Sequence, residues 1–223
     1  QVSELKLNFT PQAITAAPFR STLSQTTVDF KNLAITEYGQ LDKAPHAHLE
    51  ISTSNAQLGD LLHIAEAFGA RPDATGSGTA SLSATVDTTL AEQRALQITG
   101  QGKLSGARLQ PAQMKKPLEI ANADLSFTGD SARIDNLQAQ LGASQASGWL
   151  QVKSFAQRTA AFDLKANQIN VSELQGALND SGAASGKPSG GAAGPAWRAD
   201  GKLAVGKLQL ETLTATNVQS NFT

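Results

Sequence analysis

The chain has 223 residues, of which 40% are hydrophobic and only 5% aromatic, and its formal net charge at pH 7 is −1. This charge balance argues against nucleic acid as a partner, because no Lys/Arg stripe is interleaved with aromatic residues. Cysteine is absent, which excludes disulfides and thiolate metal sites. Small and polar residues replace bulky ones, a composition that suits thin sheets burying one face.

The ends of the sequence indicate a piece of a longer protein. The chain begins at Gln1 rather than Met, and it stops at Thr223 within an alternating pattern. It carries no signal peptide and no run approaching the ~18 apolar residues of a membrane helix. The lack of an anchor here therefore does not bear on the parent protein.

The first part of the chain alternates apolar and polar residues in short stretches. Residues 3–9 and 46–53 each place their apolar side chains on one face of a predicted strand. Residues 26–38 alternate on two parities that switch at Asn32. A turn or β-bulge at Asn32 would restore a single apolar face.

The period then changes to that of a helix at about residues 57–68. Apolar residues recur there at i, i+3, i+4, i+7 and i+10, namely Leu58, Leu61, Leu62, Ala65 and Phe68. Gly69 is placed to cap the C-terminus, and Pro72 follows. Residues 170–178 repeat helical spacing more briefly, with Ser172 as a candidate N-cap.

The stretch from Leu96 to Leu178 organises the chain, because nearly every segment in it alternates with a period of two. Gly, Pro, Asn or Asp punctuates the joins, which predicts an antiparallel meander with one apolar face. The parity slips between Ile120 and Ala121 and again around Asn136. These slips predict bulges or short turns.

The end of the chain looks like a second copy of its centre. Residues 181–195 are almost entirely small residues and prolines, which predicts a flexible linker. The segment GKLAVGKL at 201–208 then parallels GKLSGARL at 102–109. Upstream, residues 47–65 parallel 161–178, each predicted as a strand running into a helix. This order predicts a tandem array of sheet modules.

With these repeats in view, the chain resembles the AsmA-like family of Gram-negative envelope proteins, particularly their C-terminal region. The resemblance covers most of residues 47–223, while residues 1–46 match only in general style. The motifs that carry it, in chain order, are QLGDLLHIAEAFG, ATGSGTASLSATV, ITGQGKLSGARL…KKPLEIANADLSF, ARIDNLQAQLGASQASGWLQV, FDLKANQINVSEL and ADGKLAVGKLQLETLTATNV.

The resemblance implies a mainly β fold of antiparallel meander sheets curled into a U-shaped, taco-like groove, with one or two short amphipathic helices. It divides the chain into an AsmA-like β-repeat region at 1–180, the linker at 181–195 and the start of a further β-repeat at 196–223. It also implies a periplasmic location, with the parent anchored in the inner membrane of a Gram-negative bacterium. The family is associated with phospholipid movement toward the outer membrane.

The residues predict no enzyme and no cofactor. No Ser or Thr has a base placed beside it by local spacing, and no nucleophile-elbow motif is present. His46 and His48 share a strand face with Glu50 and could hold a metal, but a solvated polar face is the ordinary outcome for such residues. We therefore predict neither a catalytic residue nor a metal site.

Two further patterns have ordinary structural interpretations. The glycines at 76, 78, 100, 102 and 106 lack the spacing and the following helix of a phosphate-binding loop, so they favour bulges or close backbone approach. Trp149 and Trp197 are isolated and without a basic helix, which favours packing in the core or at a groove edge over a membrane surface.

We expect the apolar face to bind or conduct the acyl chains of a phospholipid or another lipid between the two membranes. The alternative is a structural β-repeat that assists outer-membrane protein assembly through its strand edges, with envelope proteins as partners. The candidate lipid-binding residues are those of the alternating face: Leu96, Ile98, Leu104, Leu118, Ile120, Leu125, Phe127, Leu150, Val152, Phe162 and Leu164.

Overall fold

The structure is a computed structural model, and it describes residues 4–39, 44–67, 73–90, 96–112, 114–177, 197–210 and 212–222. The predicted linker at 181–195 and the predicted cap at Gly69 and Pro72 lie outside these residues. Within them the chain is built mainly from β-strands, and two short helices follow the fifth and eleventh strands. The predicted mainly β fold is therefore confirmed.

Five strands and a helix form the first part of the chain. They are β1 (Leu7–Phe9), β2 (Ala13–Ala16), β3 (Phe19–Leu23), β4 (Thr26–Thr36), β5 (His46–Gln57) and α1 (Leu58–Ala67). The longest strands form the centre. They are β6 (Ala74–Thr89), β7 (Leu96–Pro111), β8 (Leu118–Thr128), β9 (Ser131–Leu141), β10 (Ser144–Ser154) and β11 (Thr159–Asn170). The last elements are α2 (Val171–Ala177), β12 (Arg198–Leu210) and β13 (Leu213–Phe222).

All thirteen strands belong to one open, curled sheet. Its order is β1-β2-β4-β5-β6-β7-β8-β9-β10-β11-β12-β13, with β3 paired to β4 off this path. Neighbours in the sheet are thus almost always neighbours in the chain, as in the predicted meander. Right-handed strand twist accumulates over so many strands, which curls the sheet.

One pair of neighbours departs from the antiparallel meander. β12 runs parallel to β11, from Thr159 opposite Arg198 to Asn170 opposite Gln209. A parallel neighbour requires the chain to return to the start of β11 before β12 begins. The predicted further repeat at 196–223 is therefore continuous with the rest of the sheet, and whether 1–180 and 196–223 are separate repeats stays a prediction.

The predicted parity slips are confirmed as bulges. Asn32 has a φ of 52° and Asn136 a φ of 51°, and the pairing register shifts beside each of them. The register also shifts between Ile120 and Asn122. The left-handed conformation is one that Asn tolerates better than most residues, which explains its use at these positions.

The predicted helix at about 57–68 is confirmed as α1, and its N-terminus is held by a residue distant in sequence. The Thr26 hydroxyl accepts a hydrogen bond from the Gln57 N–H at 2.8 Å and donates one to Asp60 Oδ2 at 2.7 Å. Thr26 is fully buried. It therefore links the β3–β4 hairpin to the first turn of α1.

The shorter predicted helix is confirmed as α2, but the expected Ser172 cap is wrong. Asn170 Oδ1 accepts the hydrogen bond from the Glu173 N–H at 3.0 Å. Asn is a preferred N-cap residue, and Asn170 stands one position before the first helical residue. Since β5 and β11 run in the same direction across the sheet, α1 and α2 both follow strands that end at the same side.

Candidate functional site

The sheet has one apolar face, as the pairing register of its strands shows. One row of paired residues crosses eight strands without a break: Leu82, Gly102, Leu125, Ile134, Leu150, Phe162, Gly201 and Phe222. The adjacent row on the same face contains Ala84, Gly100, Phe127, Ala132, Val152, Ala160 and Ala199. Paired residues in a sheet point to the same side, so these rows form one continuous surface.

The structure brings the predicted lipid-binding residues together on this face. Leu104 and Ile120 are buried in a cluster with Leu58 of α1, and Leu118, Leu125, Leu150 and Leu164 pack against that cluster. Ile98, Phe127, Val152 and Phe162 are half-buried and lie outside it. Leu96 opens β7 on the same strand parity, and its side chain is outside the described atoms. These positions therefore divide into a group within or against the cluster that includes Leu58 of α1 and a group outside it.

Two glycines on this face make room for aromatic rings. A Cβ at Gly100 would lie 2.6 Å from Cζ of Phe127, and a Cβ at Gly201 would lie 2.6 Å from the ring of Phe162. Phe162 also contacts Phe222, with 5.7 Å between ring centroids. The predicted role of strand glycines in close approach thus holds here, with side chains rather than a ligand as the neighbours.

α1 closes part of the face at one end of the strands, and α2 is held nearby by polar contacts. Leu58 and Leu62 of α1 approach Gly76 so closely that a Cβ there would lie 3.0–3.1 Å from them. In α2, Glu173 accepts hydrogen bonds from Lys116 Nζ at 2.8 Å and from the Ala143 N–H at 3.4 Å. The Lys116 ammonium is the main reason that the pKa of Glu173 lies below its usual range. Glu173 therefore ties α2 to the β7–β8 connection and the β9–β10 turn.

The opposite face carries polar residues and ion pairs. The pKa of Asp124 is lowered by a hydrogen bond that Asn136 Nδ2 donates at 2.6 Å, and by Lys103 at 3.3 Å. Arg133 donates two hydrogen bonds of 2.7 Å to Asp135, and its guanidinium lies 4.5 Å from the ring centroid of Trp149. This face is the solvated side of the sheet.

A hollow of about 910 Å³ lies on this polar face. Of the predicted lipid-binding side chains that the structure describes, only Ile120 lines it. It is lined by polar side chains and by small residues between them in the strands, whose own side chains belong to the apolar face. Sequence reasoning missed this hollow, because its residues come from six strands and show no local motif.

Trp149 is not a core residue: it is half-buried on the polar face beside Arg133. Trp197 is 52% exposed and so is not a core residue either. The parity of Trp149 relative to Leu150 and Val152 is the sequence signal that places it on the polar side.

Of the two histidines, His48 uses its side chain for hydrogen bonding within the sheet. His48 Nδ1 lies 2.7 Å from Asp87 Oδ1, and His48 Nε2 lies 3.7 Å from Glu50 Oε1. The hydrogen bond with Asp87 raises the pKa of His48, and burial opposes this effect. Over the described ranges of the chain, no group of three or more His, Asp or Glu side chains could hold a metal ion.

Comparisons of the chain with protein-family models, with curated protein sequences and with solved structures give no match. Among the described helices, none is long and apolar enough to cross a membrane.

Proposed function

We propose that the protein binds the acyl chains of a phospholipid, or of a similar lipid, along the apolar face of its sheet. The observation that carries the proposal is the unbroken apolar row from Leu82 in β6 to Phe222 in β13. Among the described residues, the helical members of the core cluster and its surroundings are Leu58 and Leu61, both in α1. Ile98, Phe127, Val152 and Phe162 lie beyond that cluster.

The energetics of such a surface favour an elongated apolar ligand. Each methylene removed from water contributes about 0.8 kcal/mol, so a single acyl chain lying across several strands would bind usefully. The lipid headgroup would remain in water. Binding of this kind needs neither a catalytic residue nor a cofactor.

We further propose that the chain is a piece of an AsmA-like protein that acts in the periplasm between the inner and outer membranes. What supports this is the recurring unit of a strand that runs directly into a helix, seen in β5–α1 and again in β11–α2. The glycines that open the paralleled segments, Gly102 and Gly201, also occupy the same register row. The parent protein would supply the membrane anchor.

The second candidate function is strand-edge binding of a partner protein during outer-membrane assembly. The observation favouring it is that both outer strands expose large apolar residues, with Phe9 of β1 and Leu213 of β13 each 64% exposed. β13 also contains no charged residue and no proline, which are the usual protections of an edge strand.

Native mass spectrometry of the purified chain, followed by lipid extraction, tests the first function. We expect bound phospholipid in the wild type, loss of it in Ile98→Asp, and retention in Thr99→Asp. The two positions are adjacent, but Ile98 is half-buried on the apolar face and Thr99 is exposed on the polar face. Equal retention in both variants, or a folded wild type that takes up no labelled lipid, would overturn the proposal.

A further inference from the structure

The polar hollow is an elongated trough rather than a round pocket. It is lined by residues of six consecutive strands, from Ser77 in β6 to Asn167 in β11. At ~4.8 Å between strands, it extends about 24 Å across the sheet. A volume of about 910 Å³ is in the range of sites that bind small molecules or short polymers.

A band of bulges produces this trough. The band comprises Gly78, Gly106, Ala121, Asn136 and Gly148, one in each strand from β6 to β10, at register shifts or at positive φ. Bulges bend a strand and re-aim its side chains, and they are frequent beside binding sites. A smaller hollow of about 340 Å³ shares the lining residues Gln138 and Ser147 with the trough. Four of the five bulge residues line one hollow or the other: Gly106, Ala121, Asn136 and Gly148.

The lining of the trough combines glycine, alanines and Ile120 with polar side chains, and most of those polar side chains are neutral hydrogen-bonding groups. Gln140 and Gln145 interact weakly with each other at 3.4 Å. Gln138, Ser147 and Lys165 have no side-chain hydrogen bond or ion pair to any other described residue. The charged lining residues are Arg108 and Glu119, which face each other at 3.8 Å, and Lys165. Amides and hydroxyls that both donate and accept are therefore the main groups offered to a ligand.

Trp149 is a second, independent indication of a ligand. It lines the smaller hollow, on the solvated side of the sheet, although a large aromatic ring gains most from burial on the apolar side. Arg133 occupies one face of its ring. An aromatic platform next to a row of amides is a combination that recognises a sugar ring through its C–H surface and its hydroxyls.

We propose that the trough and Trp149 bind a neutral oligosaccharide chain. An acyl chain would desolvate the glutamines without pairing them, which is unfavourable. A nucleic acid would need more than the two cations of the described lining, since one anion lies beside them. An extended peptide could not add to the sheet here, because the strand backbones beneath the trough are already paired.

The experiment is a titration of the isotopically labelled chain with chitotetraose, maltotetraose and cellotetraose, followed by NMR. We expect at least one sugar to shift the backbone amides of Gln138 and Ser147 and the indole N–H of Trp149. Gln138→Ala and Trp149→Ala should each weaken that binding about tenfold, equivalent to ~1.4 kcal/mol. Trp197→Ala, which removes the exposed tryptophan outside the trough, should leave the affinity unchanged.

The chemical-shift changes of the wild type test the proposal even if a variant fails to fold. No shift at these three residues with any of the sugars would overturn the proposal. Shifts caused by phospholipid vesicles and not by the sugars would overturn it in favour of a lipid headgroup. Because the trough and the apolar face are on opposite sides of the sheet, lipid binding and sugar binding fail independently.

Discussion

Two buried threonines have opposite hydrogen-bonding states. Thr26 is 0% exposed and its hydroxyl joins the Gln57 N–H to the Asp60 carboxylate. Thr26→Val keeps the side-chain shape and removes both hydrogen bonds, leaving these two groups without their partner. We expect the free energy of unfolding to fall by about 1–3 kcal/mol, measured by urea denaturation.

Thr53 provides the matched control. It is 7% exposed, and its hydroxyl oxygen has no hydrogen-bond partner among the described residues. Thr53→Val removes an unpaired polar atom, so we expect unchanged or higher stability, by up to about 1 kcal/mol. Equal losses in the two valine variants would contradict the assignment of the Thr26 bridge.

His48 predicts a pH dependence whose sign follows from its pairing with Asp87. Because the pKa of His48 is raised in the folded state, the pair stabilises the fold fully below the ordinary histidine pKa. That contribution is lost as the pH rises through the raised pKa. Both side chains are more than a third exposed, so the effect should be about 0.5 kcal/mol. The stability difference between wild type and His48→Gln should therefore be larger at acidic than at alkaline pH, and the opposite order would exclude the pairing.

At the scale of elements, the β9–β10 turn is one of the places that hold α2. Gly142 has a φ of 59°, and a methyl group there would collide with the Glu173 carboxylate. That carboxylate cannot move without losing Lys116 and the Ala143 N–H. Gly142→Ala should therefore destabilise the protein by more than the ~1 kcal/mol expected for a left-handed alanine alone.

Gly129 isolates the collision from the backbone effect. It lies in the β8–β9 turn with a φ of 49°, and a methyl group added there would meet no described atom within 4 Å. Gly129→Ala should destabilise the protein only by the ~1 kcal/mol expected for an alanine in the left-handed conformation, measured by thermal unfolding. If the two alanine variants unfold alike, Glu173 does not hold α2 against the turn.

Alternation predicts most of the strands and the bulges at Asn32, Ala121 and Asn136, and helical spacing predicts α1, because both periods and their interruptions are local properties. The short strands β2 and β3 are not predicted in this way. Spacing places the N-cap of α2 two residues too late, since Ser172 and Asn170 are both good caps and spacing does not separate them. The polar trough could not be predicted, because Gln138, Ser147 and Lys165 meet only through strand pairing. The bridge from Thr26 to α1 is equally non-local.

Across the whole molecule, each strand packs mainly against its two neighbours, so stability should be regional. Val205 of β12 is 4% exposed, and Val205→Ala should lower hydrogen-exchange protection in β11–β13 by up to about 2 kcal/mol. Leu104→Ala, in the cluster beside α1, should instead lower protection in β6–β8. A uniform loss over all strands in either variant would show that the sheet unfolds as one cooperative unit.

The parallel pairing of β12 with β11 also has a consequence for biosynthesis. From β4 to β11, each new strand can pair with the strand made just before it, so the sheet can grow in step with translation. β11 cannot pair on this edge until Arg198 has been made, because β12 starts beside Thr159, the first residue of β11. Sheet growth should pause there, with the outer edge of β11 exposed on the ribosome until the returning chain covers it.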